Sequence, residues 1–212
     1  MMSQRRNVSE SELHEEPQAA ETPRAANAIP EQRILDAARD LLLAVGMRRM
    51  SMADIARRAD ISRATLYRRW PNVRAVVAAL VTREFTTFAA QVSAPAATGR
   101  ESLVSAVTRL VGELRIHPLL RKVVDVDPEF LIPYLFHRTG ATSDAQLELI
   151  EDAIRLGQAD GSIRSGEPGM LARAVLLTAW SFTLSGPVFV ADHAFPALDS
   201  ELSVLLERYL AP

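Results

Sequence analysis

The residues best suited to chemistry in this chain lie between Ser51 and Arg74, and what they offer is recognition of an anionic surface. Ser51 stands where it can cap a helix, with Asp54 three residues on at capping-box spacing, and Ser62 stands where it can cap a second helix. The exposed positions of that second helix are Arg63, Ala64, Thr65, Arg68 and Arg69. Small and hydroxyl residues at a helix start, with arginines along one side, suit insertion into the major groove of DNA. A plain helical hairpin with a solvated basic face would read the same locally, so the elements around it must decide.

Those elements are legible. Met52, Ile55, Ala56 and Ala59 recur at helical spacing and give the first helix a narrow apolar face. Asp60 falls at the turn, where a left-handed backbone is tolerated better by Asp than by most side chains. Leu66 and the aromatic pair Tyr67 and Trp70 supply the apolar side of the second helix. Ile34, Ala37, Ala38, Leu41, Leu42 and Val45 mark a preceding helix that Pro30 opens and Gly46 closes. The three would pack into one small domain. Pro71-Asn72 breaks the chain, and Val73 starts a long apolar helix to about Val92 through Val76, Val77, Leu80, Val81, Phe85 and Phe88. It is too apolar to belong wholly to the first unit and is the natural connector. Arg74 in its first turn opposes the helix dipole, which implies a separate benefit.

The 212 residues are 48% hydrophobic, enough for one large or two small cores, and contain no cysteine, which excludes disulfides, thiol catalysis and thiolate metal sites. No apolar run of about 18 residues appears, and the N-terminus is polar, so neither a membrane span nor a secretory signal is expected; the chain reads as cytoplasmic. Net charge is −2, but it is unevenly spread. Residues 31–92 hold eleven arginines against six carboxylates, whereas residues 93–212 hold ten basic against fifteen acidic side chains. A basic N-terminal third on an acidic body is the asymmetry expected when one domain touches phosphate. Residues 1–30 lack periodicity and read as a disordered arm, whose Arg5 and Arg6 either fray or reach a minor groove.

Beyond a linker at residues 93–99, amphipathic helices follow. One runs through Leu103, Val107, Leu110 and Leu114 to His117-Pro118, and short apolar segments cover residues 119–126 and 129–138, the latter bent by Pro133. A longer helix at residues 142–159 would bury Leu147, Ile150, Ile154 and Leu156, with Ile163 anchoring the turn after it. A nearly all-apolar one spans 167–185 and stops at Gly186-Pro187, and a last one spans 198–210. No strand alternation appears, so the fold class is all-α.

With these residues laid out, the region from Gln32 to about Leu80 resembles the tetracycline-repressor (TetR) family of bacterial transcriptional regulators. The matching runs are Ile34 to Ala38, Gly46, Ser51 to Ala56, and Ile61 to Trp70, with Arg74 beyond. The resemblance implies that Ser51, Thr65, Tyr67 and Arg74 hold phosphates, and that Ser62, Arg63, Ala64 and Arg68 face base edges. Arg69 stands where the family often has a phosphate-contacting histidine. Asp60 and Ala64 replace common glycines, and Trp70 a more usual phenylalanine; Tyr67 and Trp70 would also serve the core.

The implied organisation is an arm at 1–30, a helix-turn-helix domain at 31–72, a connector at 73–92, and an effector-binding and dimerisation domain at 93–212. The implied function is a ligand-responsive repressor. A single recognition helix reads too few base pairs for useful specificity, so a homodimer on a palindromic operator is expected, paired through the helices at 142–159 and 167–185. The segment from His117 to Arg138 with its facing helices would wall an effector cavity, for which Leu110, Leu114, Phe130, Tyr134, Trp180 and Phe182 are the candidates, and their character favours a hydrophobic effector. His117 and His137 are either structural or serve a ligand or metal. No cofactor is called for. An enzyme on a helical bundle is the competing class, but the chain has no H-E-x-x-H, no Gly-rich phosphate loop and no Glu-x-x-His pair.

Overall fold

The computed structural model describes residues 23–91, 96–136 and 139–212. Arg5, Arg6 and His137 lie outside them, as do residues 93–95 of the linker at 93–99. Among the described residues the chain is helical without strands: α1 (Pro23–Val45), α2 (Met52–Arg58), α3 (Arg63–Arg69), α4 (Val73–Gln91), α5 (Gly99–Ile116), α6 (Pro118–Val126), α7 (Ile132–Phe136), α8 (Ala141–Ala159), α9 (Pro168–Trp180), α10 (Gly186–Phe189) and α11 (Phe195–Leu210).

Helix α1 opens at Pro23 rather than Pro30 and runs through Pro30, so the expected arm at 1–30 overlaps a helix. The alanines at 25, 26 and 28 are strong helix formers, and they sustain the helix across a proline that donates no backbone hydrogen bond. Gly46 ends α1 at φ 77°, and a Cβ there would lie 3.0 Å from Val126 Cγ1, so both backbone sign and space require glycine.

The first core gathers Ile34, Leu42, Ile55, Leu66, Val76 and Leu80, all fully buried, from α1 to α4. Leu119 and Val123 of α6, and Phe130 from a 3-10 turn at Pro128–Phe130, complete it. Each such aliphatic side chain contributes about 1.5–3 kcal/mol of burial. The second core joins α5, α8, α9 and α11 through Leu103, Val107, Ile154, Val175, Leu202 and Leu206. A Cβ on Gly99 would sit 2.6 Å from Gly157 Cα, which is how closely α5 starts against α8.

Three expectations about the later helices need correction. Leu156 is 69% exposed rather than buried; Ile154, two positions away, takes the core-facing side. The helix begun at Pro168 does not stop before Gly186-Pro187 but continues through a π turn at Ser181–Ser185 into α10. The buried Arg115 side chain braces this turn, donating from Nε to the Phe182 carbonyl at 3.2 Å and pairing with Asp199 at 2.6 Å. Helix α11 begins at Phe195, earlier than Leu198, with Pro196 in its first turn.

Candidate nucleic-acid interface and effector cavity

The helix-turn-helix follows from its caps. Ser51 Oγ accepts the Asp54 backbone N–H at 3.1 Å, and its hydroxyl donates to the Asp54 carboxylate at 2.5 Å. That hydrogen bond, with the Arg57 guanidinium 2.6 Å from the carboxylate, holds the half-buried Asp54 below the usual carboxylate range. Ser62 Oγ accepts the Thr65 N–H at 3.0 Å and lies 2.8 Å from the Thr65 hydroxyl. Asp60 adopts the left-handed φ of 53°, and Arg33 secures the turn by donating to the Ala59 carbonyl at 2.9 Å.

Helix α3 turns Leu66 fully into the first core, and Trp70 packs against that core part-buried. Tyr67 does not share this role: it is 53% exposed, because it stands one position, about 100°, around the helix from Leu66. Arg63, Ala64, Tyr67 and Arg68 therefore form one open face at i, i+1, i+4 and i+5. Arg63 and Arg68 make no hydrogen bond or ion pair among the described residues, whereas Arg57 is held by Asp54 and Arg58 by Asp40 at 2.7 Å. Two arginines depart from the free posture expected of phosphate contacts. Arg69 pairs with Glu31 of α1 at 3.2 Å. Arg74 donates to the Glu129 carbonyl at 3.0 Å and lies 5.9 Å from the Phe130 ring centroid. That contact is the benefit that offsets its place in the first turn of α4.

Between α4 and the helices of the second half lies a cavity of about 710 Å³, inside the ~300–1,000 Å³ range of small-molecule sites. Leu114, Phe130 and Trp180 stand on its wall as expected. Leu110 and Phe182 do not. Only the C-terminal end of α5 reaches the cavity, and Phe182, two positions past Trp180, points toward the second core instead. Tyr134 falls in α7; the position of its side chain is not described. Residues overlooked in the sequence supply much of the wall: Ala75, Ala78 and Phe85 of α4, Leu119 and Val123 of α6, Ser143 and Gln146 of α8, and Thr183. The α4 set recurs at helical spacing and was readable as a second apolar face.

His117 lines the cavity and meets the Phe88 ring edge-on at 5.0 Å. Burial, with a smaller push from Arg39, lowers its pKa against the opposing pull of Glu84. Glu84 is itself held by Arg83 at 2.9 Å, and Arg83 also grips Asp36 at 2.8 Å. No group of three or more metal-ligating side chains occurs among the described residues.

A third feature is apolar and open. Leu149 and Leu156 on α8, and Met170 and Leu177 on α9, are each more than half exposed at i, i+7 spacing, and Phe189 beyond them is 82% exposed. No described helix is long and apolar enough to cross a membrane.

Comparison with known proteins agrees with this geometry. Residues 34–80 match the family model described as bacterial regulatory proteins, tetR family. HTH-type transcriptional regulators of Mycobacterium bovis and Mycobacterium tuberculosis are 33% identical to the chain over 178 residues, covering 84% of it and 93% of each relative. Among solved structures, the Rhodococcus erythropolis repressor QsdR from the TetR family superposes with a TM-score of 0.65 at 16% identity, over 84% of this chain and 95% of that one. The Bacillus subtilis regulator FadR, solved with stearoyl-CoA, gives 0.61 at 16% identity, over 84% and 98%.

Proposed function

Because the chain belongs to the TetR family of bacterial regulatory proteins, we propose that this transcriptional regulator is a repressor, binding a palindromic operator as a homodimer and released by a small, mostly apolar effector. The observation that carries the DNA reading is the open face of α3, where Arg63 and Arg68 stand unpaired beside Ala64 and Tyr67 while neighbouring arginines are neutralised. In this reading Arg63, Ala64 and Arg68 meet base edges, with Ser62 at the helix start. Ser51, Thr65 and Tyr67 take phosphates. Arg69 and Arg74 would do so only after leaving Glu31 and the Glu129 carbonyl.

The exposed leucines and methionine of α8 and α9 support a four-helix dimer seam, since contiguous exposed apolar surface marks an interaction site. The two-fold axis would place two α3 helices in successive major grooves about 34–36 Å apart. The cavity supports the effector reading, and Phe130 belongs to both cavity wall and first core, so a ligand against it bears on the packing of α1 and α4. Coupling of about 1–3 kcal/mol would change operator affinity roughly 5- to 150-fold. On this reading the working division is recognition at 31–72, connection through 73–92, and effector binding with dimerisation at 93–212. Selection of bound sequences from random DNA tests it: an inverted repeat with that spacing is expected, and a single unpaired half-site would refute the dimeric mode.

A further inference from the structure

Most of the cavity wall is aliphatic or aromatic, but one patch is polar and incompletely satisfied. Gln146 is 9% exposed and Ser143 4%, and both line the cavity one turn apart on α8. Gln146 Oε1 accepts the Trp180 indole N–H at 3.1 Å. The indole is a donor only, so the oxygen of the Gln146 amide must face it, and the Nε2 group with its two donors is left over. Among the described residues nothing hydrogen-bonds Gln146 Nε2 or Ser143 Oγ. Both groups line the cavity, so they are open to a hydrogen-bond acceptor that enters it.

The electrostatics of the same end say what kind of group fits. Thr82 and Thr142 hydrogen-bond one another at 2.7 Å beside the patch. The carboxylate on the α4 wall, Glu84, is held by Arg83, whose guanidinium is also engaged by Asp36. Burial disfavours the charged form of His117. Arg74, a cation on the wall, lies eight residues before Thr82, about 12 Å along α4, and is turned to Glu129 and Phe130. A carboxylate at the Ser143–Gln146 end would be desolvated without a partner cation, which a neutral oxygen would not suffer.

We infer that Ser143 and Gln146 bind the oxygen of an uncharged, largely aliphatic carbonyl compound (an ester, lactone or ketone), whose chain runs along the α4 wall toward Phe130. The ligand's carbonyl accepts from Gln146 Nε2 and from the Ser143 hydroxyl. This rests on the effector reading and gives that site its ligand class.

Calorimetric titration of the full-length protein at pH 7.5 with methyl decanoate, and with decanoate as its charged counterpart, tests it. Saturable binding of the ester, with decanoate at least about tenfold weaker, is expected. Ser143→Ala, a change that leaves the Trp180 hydrogen bond in place, should weaken the ester about fivefold to tenfold without moving the melting temperature. Gln146→Leu should weaken the ester likewise but lower the melting temperature, because the Trp180 indole loses its acceptor, so it is read in a variant checked to be folded. Equal or tighter binding of decanoate, above all if Arg74→Gln abolishes it, would overturn the inference by placing an anionic head at the far end. So would ester binding that neither α8 variant weakens, or no ester binding. A gel shift run alongside separates the two claims: ester that binds in the predicted way without releasing operator DNA upholds the ligand class and refutes the effector reading.

Discussion

The fully buried carboxylate of Asp127 accepts the backbone N–H of Met47 at 2.6 Å, joining the residue after α6 to the turn after α1. It also takes the Arg48 N–H at 3.3 Å, and Arg48 Nε reaches Glu129 at 2.7 Å. Gly46 makes this approach possible, since a Cβ there would also lie 3.2 Å from Asp127 Oδ2. The segment leading into the helix-turn-helix is thus fastened by Asp127 and Glu129 to the end of α6, whose Leu119 and Val123 line the cavity. Asp127→Ala should cost about 1.5–3 kcal/mol in denaturant unfolding, because charge-assisted bonds are lost and two N–H groups are orphaned. Arg48→Ala, at a solvent-exposed pair, should leave the unfolding midpoint nearly unchanged.

Arg68→Ala leaves the fold untouched because the side chain is exposed and unpaired. Its unfolding midpoint should match wild type, while specific DNA binding falls by about 1–3 kcal/mol. Fluorescence anisotropy on a selected operator and on scrambled DNA separates the two effects. An equal loss on both sequences would assign Arg68 to phosphate rather than to bases.

Leu177→Glu places a charge in the middle of the exposed α8–α9 face, where Leu177 is now 64% open. Sedimentation velocity should show dimer for wild type and monomer for the variant, with helical content retained. A variant that remains dimeric would move the seam elsewhere.

His117 gives a pH dependence whose sign is fixed. Its folded pKa lies below the ordinary value of 6.5 because burial disfavours the imidazolium. Above about pH 6.5 both states are neutral and its contribution to stability is fully present. As pH falls, the unfolded chain binds the proton first, and that stability is lost progressively down through the folded pKa. Melting curves between about pH 8 and pH 5 should show a decline that is shallower in His117→Gln. An equal decline in both proteins would remove His117 as its source.

What could be read in advance was whatever short-range chemistry determines. Ser51 and Ser62 announce caps through side chains that bond within three residues, Asp60 announces the turn through its tolerance of a left-handed backbone, and Leu66 announces its burial by spacing. Partners distant along the chain left no such mark. Arg74 answers to the Glu129 carbonyl, and Arg69 to Glu31, neither of which any local pattern implies. Phe182 drew notice as an aromatic, whereas angular position gives the cavity to Thr183. Leu156 looked like core because the helix carries more apolar residues than one core can absorb, and the surplus is the exposed face itself.

The most direct measurement is a gel-shift titration on the DNA upstream of the protein's own gene, with wild type and Arg68→Ala at two salt concentrations. Binding in the nanomolar range is predicted, weakened by salt, lost in the variant and far tighter than on random DNA. Failure to bind either DNA at low salt would contradict sequence-specific recognition through α3.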